Sequence, residues 1–275
     1  MFKPAAQPTN QGDSMNTLFG WPGGKKNMVQ RLLQLLPKHK TYVEPFCGSA
    51  RLLFAKPPSD VEIIRDANAD LMNFFLVAAF RPAALAAAFE RACMHPAVFK
   101  RLRTADLSSH DEVAQAFRFA YLQWFSFGAK GEHFAWPSKE RGRWMTKGAR
   151  LARVRRMLRD ASVRLRGVII DCGDAREIIR RYDASGTFFF CDPPYVNFRS
   201  LGRYTAGTEE ERAAIFECLS KVKGKFLMTN EDCEEIRGLA RRHGFRTARI
   251  PTVYTIAAGA RSRGTMELLI SNFAI

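Results

Sequence analysis

Short apolar runs that do not alternate constrain this chain more than any other feature. VIIDC (168–172), TFFFC (187–191), KFLMT (225–229) and MELLIS (266–271) place apolar residues at successive positions. A strand with one face in water alternates apolar and polar side chains, whereas a strand covered on both faces has no reason to. Such runs point to a mainly parallel sheet sandwiched between helices. TYVEPF (41–46) and VEIIR (61–65) read as two further strands around a helix that begins after CGSA, which makes a β-α-β unit. The expected fold class is α/β.

From Arg81 to about Arg166 the text becomes helical and basic. LARVRRMLRDASVRLR sets Leu151, Val154, Leu158, Ala161 and Leu165 on one helical face and most of its arginines on the other. The whole chain of 275 residues carries 43 Lys and Arg against 27 Asp and Glu. Most of that excess lies between Ala97 and Arg166, where 16 basic residues face 6 acidic ones. Trp124, Phe125, Phe127, Phe134, Trp136 and Trp144 are interleaved with the cations. Cations among planar side chains suit a polyanion that also offers bases, so a nucleic acid is the expected partner. YLQWFSFGAKGEHFAWP holds Lys130 between Gly128 and Gly131 with aromatics on either side, the pattern of a hairpin or loop presented to a nucleic acid. AGARSRGT (258–265) is a second loop of this kind, with Arg261 and Arg263 placed to hold phosphates.

These runs divide the chain into a polar, disordered segment (1–16), a sheet domain in two parts (17–80 and 167–275) and a basic helical insertion (81–166). No stretch approaches the roughly 20 apolar residues of a membrane span, and no basic-then-apolar leader opens the sequence. A cytoplasmic protein is expected. The six cysteines are scattered without zinc-ligand spacing, so reduced thiols and no metal are expected.

In open α/β sheets ligands bind beyond the carboxyl ends of the strands. FCGSA, after the first strand, offers only Gly48 where a dinucleotide fingerprint demands several glycines. A nucleoside without phosphates needs less. Asp66 ends the second strand, where an acid accepts hydrogen bonds from ribose hydroxyls; an Asp there also suits the N-cap of the helix NADLMNFF. In FFFCDPPY the strand ends on Asp192, and Pro193 and Pro194 restrict the backbone around it. A carboxylate oxygen and a backbone carbonyl so fixed accept both hydrogens of an NH₂ group. The amine of adenine is a poor nucleophile because its lone pair is delocalised; holding both hydrogens draws the nitrogen toward tetrahedral geometry. Tyr195 is placed to stack on a base extruded from a duplex. Cys191 points to the other face of the strand, and amine methylation needs no covalent intermediate.

FGWPGGK, VEPFCGSA, DANADL, CDPPY and MELLISN, in that order, resemble the Dam-type DNA adenine-N6 methyltransferases of the D12 (α) class, from Leu18 onward. The resemblance implies a Rossmann-like sheet that uses S-adenosylmethionine (AdoMet), mainly parallel, with an antiparallel C-terminal hairpin formed by RTARIPTVYT and MELLIS. It makes the insertion a target-recognition region. It implies AdoMet contacts at Trp21, Lys25, Asp66 (ribose), Asp174 (adenine) and Asp192, and a catalytic motif of Asp192, Pro193, Pro194 and Tyr195. Its partner is double-stranded DNA, and a monomer is expected. The family's FxGxG loop departs here, since Ala50 stands where a second glycine is usual and alanine does not easily take positive φ. The departure bears on cofactor affinity and leaves the activity expected. Two alternatives stay open: N4-cytosine methylation, whose amine fits the same fork, and a non-catalytic DNA-binding protein that keeps the fold. Phage-encoded, restriction-modification and housekeeping roles all use this chemistry.

Overall fold

The computed structural model describes residues 18–21, 25, 27–106, 110–135, 147–196, 207–253 and 264–275. Among the described residues the apolar runs and the segment RTARIPTV form seven strands: β1 (Thr41–Glu44), β2 (Val61–Asp66), β3 (Ile169–Cys172), β4 (Thr187–Cys191), β5 (Lys225–Glu231), β6 (Arg246–Val253) and β7 (Gly264–Ser271). They make one sheet in the order β3-β2-β1-β4-β5-β7-β6. The first five are parallel, and β7 runs antiparallel to both β5 and β6. β1 stops before the end of TYVEPF because Pro45 has no N–H for the ladder and the chain turns there.

Every residue of β4 is buried, which is why its sequence shows no alternation. Phe188 and Phe190 share one face with Tyr42, Ile64 and Leu227, while Phe189 and Cys191 share the other with Val43, Ile63 and Met228. Burying each such side chain is worth about 1.5–3 kcal/mol, so the sandwich holds itself together through this strand. The first face is covered by α1 (Val29–Gln34), α2 (Arg51–Ala55), α3 (Ala69–Phe80), α4 (Pro82–Arg91), α5 (Pro96–Thr104), α6 (Glu112–Trp124) and α7 (Lys147–Arg164). The second is covered by α8 (Ala175–Arg181), α9 (Glu209–Ser220) and α10 (Glu234–Arg242).

The cap of α3 is Asn68, whose side chain accepts from the Leu71 N–H, so Asp66 is released from the capping role its position suggested. α3 ends where Pro82 forbids helical geometry at Arg81, and the chain bends by 107° into α4. Among the described residues, the helices of segment 81–166 share the core of the sheet. Phe89, Phe119, Tyr121, Leu158 and Leu165 belong to the same buried cluster as the sheet residues Tyr42 and Phe188. On α7, Leu158 and Ala161 are buried, as is Leu165 just past its end, while Leu151 and Val154 of the same stripe are half-buried and Arg153, Arg155, Arg156 and Arg159 face outward. Arg164 departs from them. Its guanidinium binds Glu62 at 2.5 and 2.9 Å and the Leu53 carbonyl at 2.7 Å, while Lys56 Nζ reaches the same carboxylate at 2.5 Å. This cluster pins the end of α7 to β2. No single helix among the described residues is long and apolar enough to cross a membrane.

Candidate active site

The connections reverse direction between β1 and β4, and a crevice at such a switch point opens beyond their carboxyl ends. One group of expected residues gathers after β1. Gly48 has φ +46°, and a Cβ there would lie 2.8 Å from the Trp21 indole, so the ring rests directly on this turn. Asp66, 1% exposed, accepts from the Gly48 N–H on Oδ2 and from the Asn68 N–H on Oδ1, both at 3.0 Å. Its carboxylate therefore ties the loop after β1 to the loop after β2. Ala50 is held at φ 48°, ψ 36°, the left-handed conformation in which a glycine was expected. The strain is about 1–2 kcal/mol, and the turn bond from its N–H to the Cys47 carbonyl and the burial of its methyl act against it. Burial pushes the Cys47 thiol far up, which leaves it unreactive.

The helical layer builds the wall that carries Trp21. The indole lies 6.3 Å from Phe119 and 5.7 Å from Phe19 between ring centroids, and Trp124 Nε1 donates to the Leu18 carbonyl at 3.0 Å. Just past α6, a bridge between Ser126 and Phe134 closes the loop that bears Lys130, which is exposed. Ala129 of that loop packs against Gly20. The loop thus adjoins the wall next to Trp21.

A second group gathers after β4. Lys25 Nζ lies 2.7 Å from Asp192 Oδ1, 3.9 Å from Glu267 Oε2 and 4.8 Å from the centroid of the Tyr195 ring. Lys25 is only 6% exposed, and a buried ammonium is costly without acids beside it. Thr229 donates its hydroxyl to Asp192 Oδ1 at 2.7 Å. Glu44, at the end of β1, accepts from Tyr42 Oη at 2.6 Å and from the Leu53 N–H at 2.8 Å. Burial pushes the Glu44 carboxyl up to about 7, the charge of Asp192 adds to that, and the two hydrogen bonds and Lys56 oppose it. The two acids differ in environment: Glu44 is sealed in, while the Asp192 side chain keeps 22% of its surface open. Cys191 sits in the opposite core, its thiol pushed far up by burial, and takes no part.

Asp174 stands somewhat apart. It caps α8 by accepting from the Arg176 N–H at 2.7 Å, and the Arg176 guanidinium grips its carboxylate and lowers its pKa. The Gly173 N–H donates to the Asp66 carbonyl at 3.1 Å, which sets this loop beside the end of β2. Arg261 and Arg263 lie outside the described residues. A shallow groove of about 400 Å³ between α4 and α7, lined by Pro82, Ala86, Glu90, Arg155 and Val163, contains none of the expected site residues. Among the described residues no group of three or more His, Cys, Asp or Glu could hold a metal ion.

Sequence reasoning did not find Thr229, Glu267 or Glu44. Each is a polar residue inside an apolar strand, and that was the available signal, because a buried polar side chain requires a partner.

An acid at the end of β2 and a proline-fixed acid just after β4, on the carboxyl edge of a mainly parallel sheet, form the arrangement expected from the resemblance to amine methyltransferases. The family model for the D12 class N6 adenine-specific DNA methyltransferases matches residues 21–256, and the chain belongs to that family. It is 26% identical over 280 residues to the DNA N-6-adenine-methyltransferase of Escherichia phage P1, covering 95% of this chain and 35% of that protein. It is 22% identical over 277 residues to the Type II methyltransferase M1.LlaDCHI of Lactococcus lactis subsp. cremoris, covering 92% of this chain and 94% of the relative. With the DNA adenine methylase of Vibrio cholerae serotype O1 the identity is 24% over 268 residues, again 92% and 94% of the two chains. The chain therefore spans about a third of the phage protein and nearly all of the other two.

Proposed function

We propose that the protein methylates the N6 amine of an adenine extruded from double-stranded DNA, by direct in-line transfer from AdoMet. The observation that carries this reading is the Asp192 carboxylate, held by Lys25 and Thr229 where a fully buried strand ends in two prolines. The residues present fit AdoMet. A nucleoside without phosphates needs a flat wall and a ribose acceptor more than a row of glycines, and Trp21 on Gly48 beside Asp66 supplies both. Asp192, with Glu267 nearby across Lys25, suits a positively charged cofactor. AdoMet, when bound, supplies an electrophilic methyl group on a sulfonium.

In this account Asp66 takes the ribose hydroxyls and Trp21 lines the cofactor. Asp174 shares its carboxylate with Arg176, so it is the weakest of the contacts. The Asp192 carboxylate and the neighbouring proline-fixed carbonyl accept the two amine hydrogens and orient the lone pair. Tyr195, under the charge of Lys25, stacks on the base. Segment 81–166 reads the target, and Lys130, Arg261 and Arg263 hold phosphates. The protein acts as a monomer.

The test is to incubate purified protein with methyl-labelled AdoMet and unmethylated duplex DNA, then digest to nucleosides. Label in N6-methyladenine is expected. Label in N4-methylcytosine, or DNA binding without any calorimetric AdoMet binding, refutes the proposal.

A further inference from the structure

We infer that Thr229 is a positioning residue, because it helps to decide which oxygen of Asp192 receives the target amine; this rests on the methyl-transfer reading above. The parallel register pairs Cys191 with Met228, so Asp192 and Thr229, the next residues along, meet side by side at the carboxyl edge. Leu227 lies in the same core as Phe188 and Phe190, and alternation puts Thr229 and Asp192 on that face too. Thr229 is 0% exposed. Its hydroxyl needs a partner there, and a β-branched side chain in a strand has few rotamers in which to seek one.

The partner it takes is Asp192 Oδ1, at 2.7 Å. Lys25 Nζ reaches the same oxygen, also at 2.7 Å. Among the described residues both donors fall on Oδ1, so the rotation of the carboxylate is fixed and Oδ2 is the oxygen left to receive an incoming N–H. A single donor would hold the position of the group without fixing its plane. Thr229 therefore acts on the amine through Asp192, without touching the substrate.

The experiment compares wild type, Thr229→Val and Thr229→Ser in steady-state methyl transfer, with AdoMet affinity and melting temperature measured alongside. Val keeps the branched shape and lacks the hydroxyl. We expect kcat of Thr229→Val to fall roughly tenfold or more, with AdoMet affinity, the KM for DNA and the melting temperature close to wild type. Thr229→Ser restores the donor and should recover kcat to within about threefold of wild type. A Thr229→Val enzyme with wild-type kcat overturns the inference. So does a Thr229→Ser enzyme as slow as Thr229→Val, or a common loss of AdoMet binding and stability in both. A wild-type protein that places no methyl group on adenine overturns the methyl-transfer reading together with this inference, which separates the two failures.

Discussion

Replacing Glu44 by Gln should stabilise the protein at high pH and leave it nearly unchanged at low pH. Glu44 is buried, and its Oε1 accepts from both Tyr42 Oη and the Leu53 N–H. Its carboxyl sits at about 7 in the fold against an ordinary 4.5, chiefly because burial penalises the charged form. The folded state thus binds the proton more tightly than the unfolded state does. The stability linked to Glu44 is fully present below pH 4.5, declines as pH rises and is lost once pH passes about 7. The interval from 4.5 to about 7 corresponds to about 3 kcal/mol. Gln keeps an oxygen for both donors and carries no charge to bury, so Glu44→Gln should gain up to about 3 kcal/mol over wild type near pH 9 and little near pH 5. Urea unfolding of both proteins across this range measures the difference, and groups that titrate alike in both cancel. A variant destabilised near pH 9 as much as near pH 5 would refute the reasoning, because the fold would then be using the ionised form.

Other perturbations test other parts of the structure. Gly48→Ala drives a Cβ to 2.8 Å from the Trp21 indole at a φ of +46°; it should cost about 1–2 kcal/mol of stability and weaken AdoMet binding at least about tenfold, and unchanged calorimetric affinity would remove Trp21 from the cofactor wall. Glu62→Ala strips Lys56 and Arg164 of their shared carboxylate. Denaturation should show a loss of about 3–5 kcal/mol, and a loss below about 1 would mean that the cluster does not anchor α7. Lys130→Ala should lower the slope of log affinity for DNA against log salt by about 0.9 while sparing AdoMet binding, and an unchanged slope would place Lys130 off the DNA.

The central strands were legible because they are covered on both faces, which leaves non-alternating runs such as TFFFC in the text, whereas the equally apolar β3 is an edge strand with Ile169 41% exposed. Asp192 was legible because the two prolines announce a constrained acid. Its partners were not, because they depend on strand register: Thr229 reaches Asp192 only through the pairing of Cys191 with Met228. Glu267 reaches the carboxyl edge only because β7 runs antiparallel to β5. Ala50 shows a local rule overridden by tertiary context, since a buried turn holds an alanine in the left-handed region. The apolar stripe of α7 predicted a buried face but could not say what covers it. The answer is the core of the sheet domain, with which the described helices of segment 81–166 are continuous. Arg164 looked like one more arginine of the polar face until Glu62 appeared beside it.

The central claim is that Asp192 holds the amine of adenine for methyl transfer. Its most direct test is to express wild type and Asp192→Ala in a host without DNA methylation, digest the DNA and quantify modified nucleosides. N6-methyladenine is expected with the wild type and none with the variant, both proteins folded and present at equal level. N4-methylcytosine in place of N6-methyladenine, or equal N6-methyladenine with both proteins, would contradict it.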